Sequence, residues 1–282
     1  MNSGDIRAYY AAFGQREWTR LERAEGIVEF TVTTAMLEAH LPERGCVLDI
    51  GGGPGRYTEW LADHGFRVTL ADLSPELLDI ARARLSARHA SGGTIAQIIE
   101  ADARDLSRWP DASFDAVLSL GPMYHMPNAD DRARAAAELA RVVRPGGVVF
   151  VALMPWLAFV RRTIFLADER RHLADAEFVS ALRDHGQFFN DVPERFTGGY
   201  GVRPDEVTPY FERYGFAART LVSTHGLANG IEDELIAMRD ADPRAYDAAM
   251  RLLIDTAADP SLLGLAGHLL YVGERTAGER SS

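Results

Sequence analysis

The chain contains no lysine; all 30 of its basic side chains are arginine. That absence excludes a pyridoxal Schiff base, a phosphate-loop lysine and a lysine nucleophile. Cysteine is scarce as well. Cys46 stands alone, cannot close an internal disulfide, and is expected as a buried thiol at the start of a strand. One cysteine and 8 scattered histidines offer no zinc-ligand spacing, so no metal is expected. Apolar runs are short, and none approaches the roughly 20 residues of a membrane span. The opening Met1-Asn2-Ser3-Gly4-Asp5 is polar and has no apolar secretion-signal centre, so a cytoplasmic location is expected. Positive charge is in deficit. The net charge of −11 over 282 residues repels phosphate backbones and argues against nucleic acid as a partner. With 47% hydrophobic and 25% charged residues, the chain has the composition of a globular protein with an ample core.

The most informative stretch is Val47-Leu48-Asp49-Ile50-Gly51-Gly52-Gly53-Pro54-Gly55. An apolar run ends beside an acid, opens into glycines and continues as the helical pattern Arg56-Tyr57-Thr58-Glu59-Trp60-Leu61. This reads as strand, tight turn and helix N-terminus, the entry to a nucleotide-binding α/β unit. Glycine allows positive φ and lets a ligand lie against the backbone, and the helix start offers unpaired N–H groups. Gly51, Gly53 and Gly55 give G-x-G-x-G, while position 56, where the dinucleotide fingerprint needs a third glycine, is Arg.

Acid-x-Gly-x-Gly-x-Gly, here Asp49 to Gly55, resembles the first motif of class I S-adenosylmethionine (SAM) methyltransferases, and an ordered series of features follows it. Strand 2, Arg67 to Asp72, ends in an acid 19 residues after Gly53, placed to accept both hydroxyls of a ribose, with a helix-capping role as its alternative. Ser74-Pro75 caps and starts a helix carrying Leu77, Leu78, Ala81 and Leu85 on one face. Strand 3 runs from Ile95 to Ala101 and strand 4 from Phe114 to Leu120. After a helix beginning at Asn128 or Asp130, Arg144-Pro145-Gly146-Gly147 turns into strand 5, Val148 to Leu153. The resemblance is ordered over 47–153. It implies contacts to SAM from Gly51, Gly52, Gly53, Asp72, Leu73, Asp102, Ala103 and Leu120, with Asp102 at the adenine amino group. It also implies a Tyr-rich N-terminal segment closing over the cofactor, with Tyr10 the candidate; the alternative is that these aromatics pack on the core.

The expected fold is α/β: a Rossmann-like, doubly wound, seven-stranded sheet, mostly parallel with the last strand antiparallel. The expected domains are an N-terminal helical cap (1–40), a SAM-binding core (41–154), a helical lid (155–202) and a C-terminal completion of the core (203–282). Helix is expected over 5–39 with a break near Gly14, over 156–168 and 174–185 in the lid, and over about 231–257. Phe216 to Ser223 and His268 to Gly273 resemble the last two strands.

The loop Gly121-Pro122-Met123-Tyr124-His125-Met126 follows strand 4, where ligands of open α/β sheets sit. It resembles a Gly-Pro-Leu-Tyr-His-Leu loop of bacterial small-molecule methyltransferases. His125 is therefore either a base or orienting group for the methyl acceptor, or a structural histidine of the loop. His225 and His268 are secondary candidates. The Asn/Asp-Pro-Pro-Tyr/Phe loop of DNA methyltransferases is missing. The expected activity is methyl transfer from SAM to an O or N of a small, partly apolar metabolite, in biosynthesis. A SAM-binding protein that does not methylate is the alternative; the offset of the third glycine disfavours a nicotinamide enzyme.

Overall fold

In parallel strands covered on both faces, alternating positions must be apolar on both sides, and the strands here obey that rule. In the computed structural model, which describes residues 15–86, 93–192, 196 and 198–277, β1 (Cys46–Ile50) lies between β2 (Arg67–Asp72) and β4 (Phe114–Ser119), parallel to both. Its Leu48 and Ile50 face one side with Val117, Val149 and Val151, while Val47 faces the other with Ala116, Leu118 and Phe150. β3 (Thr94–Glu100) extends the sheet beyond β2, and β5 (Val143–Pro155) continues it beyond β4. β9 (Leu269–Arg275) then pairs antiparallel with β5, and β8 (Phe216–Ser223) pairs antiparallel with β9. The order 3-2-1-4-5-9-8 is the expected mixed sheet, with a single strand reversed against its neighbours.

Two further strands were not expected. β5 runs past the sheet, and its last residues Met154 and Pro155 pair with β7 (Gly198–Val202), which pairs in turn with β6 (Gln187–Phe189). The segment after β5 thus combines α6 (Trp156–Phe165), α7 (Ala176–His185) and a hairpin around its own core of Phe159, Phe178, Leu182 and Phe188.

On one face of the sheet lie α2 (Ala24–His40), with α1 (Gln15–Leu21) packed against it, and α3 (Arg56–Asp63), α9 (Glu232–Ala241) and α10 (Pro243–Asp255). Val28, Val32 and Leu37 of α2 and Leu61 of α3 are wholly buried there. On the other face, α5 (Ala129–Val142) and α8 (Pro204–Glu212) bury Ala135, Leu139, Val207 and Phe211. α4 (Pro75–Leu85) packs Leu78, Ala81 and Leu85 against Leu70, with Ser74 accepting from the Leu77 N–H at its start.

Four expectations need correction. The helix expected over 231–257 is two helices, because Pro243 has no N–H to continue the ladder and Asp242 caps a new start, accepting from the Ala245 N–H. The described N-terminal helices break at Glu22-Arg23; Gly14 and Tyr10 lie outside the described residues. Arg144-Pro145-Gly146-Gly147 belongs to β5 as a bulge: Val143 pairs with Phe114 and Val148 with Ala116, so the register jumps between them. Cys46 is half-buried, since the start of β1 lies beside a hollow shared with Arg67 and Trp109.

Candidate functional site

The β1–α3 turn requires its glycines. Gly51, Gly53 and Gly55 take φ of 75°, 52° and 86°, the left-handed region that a Cβ disfavours. A Cβ on Gly52 would lie 2.5 Å from both the Asp49 carboxylate and Leu70 Cδ1. No side chain caps α3, so the N–H groups of its first turn face the turn. The end of β2 is tied to the same turn. Asp72 Oδ2 accepts from the Gly53 N–H at 2.8 Å and Oδ1 from the Ser74 N–H at 2.8 Å, so the carboxylate is fixed at the carboxyl end of the sheet.

A cleft of about 1140 Å³, its open mouth included, runs along these strand ends. Of the residues implicated from the sequence, Gly51, Gly52, Gly53, Asp72, Leu73, Asp102, Ala103, Leu120 and His125 all line it. Asp102 differs from the simple expectation of an available acid. Arg104 grips it through Nε at 2.9 Å and Nη2 at 2.5 Å, and reaches Asp131 with Nη1 at 3.1 Å.

Asp49 sits beneath the glycine turn, 1% exposed. Its Oδ2 accepts from the Thr58 hydroxyl at 2.7 Å, whereas Oδ1 has no partner among the described residues. Burial, opposed by the Thr58 bond and assisted by the Asp72 charge, raises its pKa to about 6. A buried acceptor without a donor, close to a fixed acid, fits the ammonium and ribose ends of an amino-acid nucleoside such as SAM.

At the other end of the cleft, Pro122–His125 form a 3₁₀ turn after β4. His125 is 6% exposed and packed between Tyr124, with ring centroids 4.8 Å apart, and Phe196, at 4.7 Å. Burial above all, then the neighbouring His268 and Arg20, pushes its pKa down to about 3, so the ring is neutral over the ordinary pH range.

The near wall is built by Arg20 of α1, which the sequence offers as either a carboxylate partner or a solvated arginine, and by Glu29, Arg56 and Tyr57 of α2 and α3, which sequence reasoning missed. Arg56, at the position of the missing third glycine, donates to the carbonyls of Leu21 and Gly26 and lies 4.2 Å over the Phe30 ring. It ties the N-terminal helices to the glycine turn, a role with no local sequence signal. Glu29 stands with His225 and His268, one ligand-type atom of each lying within 4.8 Å of the others. Burial would raise the Glu29 pKa, but His268, His225, Arg20 and Arg56 outweigh it and hold the acid below the ordinary glutamate value.

Residues 48–151 match the family described as "Methyltransferase domain". Over 113 residues the chain is 40% identical to the 2-methyl-6-phytyl-1,4-hydroquinone methyltransferase of Synechocystis sp., covering 40% of this chain and 33% of that one. Over 108 residues it is 36% identical to the malonyl-[acyl-carrier protein] O-methyltransferase of Serratia marcescens, covering 38% of each. The chain thus spans under half the length of these curated relatives. Among solved structures, a SAM-dependent methyltransferase of Methanosarcina mazei aligns with a TM-score of 0.58 at 18% identity, covering 86% of this chain and 97% of that one. The Burkholderia thailandensis 1,6-didemethyltoxoflavin-N1-methyltransferase, with its substrate and S-adenosylhomocysteine bound, aligns at 0.54 and 16% identity over 96% and 88%. These likenesses extend the shared fold beyond the matched domain.

Proposed function

Residues 48–151 matching the methyltransferase-domain family, we propose that the chain is a class I, SAM-dependent enzyme that methylates an oxygen or nitrogen of a small, partly apolar metabolite in a biosynthetic reaction. The observation that carries this reading is the single cleft that joins a cofactor-shaped end, Asp49, the glycines and Asp72, to an aromatic end around His125. SAM supplies an electrophilic methyl on a sulfonium, which leaves the protein mainly the task of holding a nucleophile in line. Asp72 receives the ribose hydroxyls, Asp49 the ammonium, and Leu73, Ala103 and Leu120 the flat faces of the nucleoside. Asp102, already shared with Arg104, meets the adenine edge with its remaining lone pairs.

Neutral His125 accepts a hydrogen bond from the acceptor's O–H or N–H and so orients it. A proton resting on this buried ring would be costly, which favours an orienting role over that of a strong base. The elements of 155–202 act as the acceptor's lid, reaching the site through Phe196 against His125 and Tyr124. The aromatic surroundings and the charge of −11 suit a small acceptor and oppose nucleic acid. The acceptors in the names of the two curated relatives, a 2-methyl-6-phytyl-1,4-hydroquinone and a malonyl-[acyl-carrier protein], are likewise not nucleic acids.

The test is calorimetric titration with SAM and S-adenosylhomocysteine, using Asp72→Ala, and the better shape match Asp72→Asn, as controls. Losing two charge-assisted bonds to the ribose should weaken binding by about a hundredfold or more. A folded wild-type protein that binds neither ligand would sink the proposal. Binding followed by release of S-adenosylhomocysteine with a panel of phenols, carboxylic acids and amines would then identify the acceptor class.

A further inference from the structure

We propose that Glu29, His225 and His268 form a binding site for one divalent transition-metal ion of the zinc type, reached from the cleft through Glu29. Two imidazoles and one carboxylate are a donor set suited to Zn²⁺, Co²⁺ or Ni²⁺, and three protein ligands leave a coordination position open. Their ligand atoms lie within 4.8 Å of one another, and His268 Nδ1 stands 3.7 Å from Glu29 Oε2. Two ligands on one tetrahedral zinc stand roughly 3.3 Å apart, given bonds of about 2.0–2.1 Å. The Glu29–His268 separation is therefore nearly that of a bound state, and every other separation in the trio is at most 4.8 Å, within reach of small rotations of the three side chains.

The histidines are held by the sheet. Ser223 pairs with Leu269 where β8 and β9 meet, and the Thr224 N–H donates to the His268 carbonyl at 3.0 Å. One edge of the His225 ring is already used. Its Nδ1 lies 3.2 Å from the Thr224 hydroxyl, and Gly267 passes so close that a Cβ there would stand 2.9 Å from the same atom. That leaves Nε2 as the ligand atom and gives His225 the outer-shell hydrogen bond that metal-bound histidines commonly have. The His268 ring is backed by Tyr124, with centroids 5.5 Å apart, and by His225 at 5.9 Å. Glu29 reaches in from α2 and itself lines the cleft, which gives an ion a path in on that side.

Sequence spacing gave no hint of this site, because its three residues come from a helix and two loops far apart along the chain. The proposal does not depend on the methyl-transfer reading, since metal binding is read without cofactor or acceptor.

The experiment uses the untagged full chain, stripped with a chelator and titrated with Co²⁺, followed by visible absorption, then with Zn²⁺ in competition. The expected result is one equivalent of Co²⁺ with a d–d spectrum of low coordination number, displaced by one equivalent of Zn²⁺. His225→Ala, His268→Ala and Glu29→Gln should each weaken binding by more than the roughly 10- to 100-fold that loss of an outer-shell partner costs. His64→Ala, on an exposed histidine away from the cleft, should leave binding unchanged. Less than one equivalent bound by the folded wild type would overturn the site, leaving Glu29 and the histidines as an ion-paired cluster. Binding that survives in folded His225→Ala and His268→Ala would do the same.

Discussion

Asp49 carries a pH dependence whose direction can be worked out. Its pKa is raised to about 6 in the folded chain, against an ordinary aspartate value of about 3.9. Between those values the folded state binds more protons than the unfolded one. Stability therefore falls as pH rises from about 4 to about 6, by on the order of 3 kcal/mol, and stays at the lower level above that. A ligand that places an ammonium at Oδ1 favours the ionised acid and reverses the dependence. The affinity for S-adenosylhomocysteine should drop as pH falls below about 6, approaching tenfold per unit, and Asp49→Asn should flatten the profile in calorimetry from about pH 5 to 7. A profile equally steep in Asp49→Asn would assign the proton elsewhere. A second residue-scale prediction concerns Gly52, where a Cβ would strike Asp49 and Leu70 at 2.5 Å. Gly52→Ala should cost about 1–3 kcal/mol in denaturant midpoint analysis and abolish measurable cofactor binding. These residues are legible in the sequence because the turn is local: the glycines, Asp49 and Asp72 lie within 24 positions of one another. The grouping of Glu29 with His225 and His268 is illegible for the converse reason, since only the packing of α2 onto the β8–β9 junction brings the three together.

At the scale of elements, strands buried on both faces were readable from their apolar runs, and turns from their glycines and prolines. The segment after β5 was readable as an interruption of the α/β alternation, but not in its detail. β6 has three residues and β7 reads Gly198-Gly199-Tyr200-Gly201-Val202, so neither shows the alternation that marks a strand. What holds this segment is polar and non-local. Glu169 is fully buried and accepts from Arg162 through Nε at 3.0 Å and Nη2 at 2.6 Å, and from Asn190 at 3.0 Å. Asn190 in turn donates to the Phe196 carbonyl at 3.1 Å, which links the network to the ring lying on His125. Removing the acid strands a guanidinium in a half-buried site. Glu169→Ala should therefore cost the segment about 3–5 kcal/mol, read as lost hydrogen-exchange protection over 156–190 with β1 and β4 unchanged. Equal loss across the sheet would show that the segment has no local stability of its own.

Across the whole molecule, the long N-terminal helix α2 is part of the sheet's own core rather than an appendage. Val28, Val32 and Leu37 share a buried cluster with Phe150 of β5, Leu270 of β9 and Leu253 of α10, and Arg56 ties α1 and α2 to the glycine turn. A ligand held between the glycine turn and those helices stabilises both together, since each contributes wall to the same cleft. Mass action at about a hundred times the dissociation constant adds roughly 2.7 kcal/mol. For a chain of 282 residues that corresponds to a rise of about 5 °C in melting temperature. Scanning calorimetry with saturating S-adenosylhomocysteine should show one transition moving upward by that amount. In Arg56→Ala the helices lose their tie, and the same ligand should produce a smaller shift or split the transition in two. An undiminished single shift in that variant would mean that apolar burial alone holds the helices over the cleft, and that Arg56 contributes only its surface.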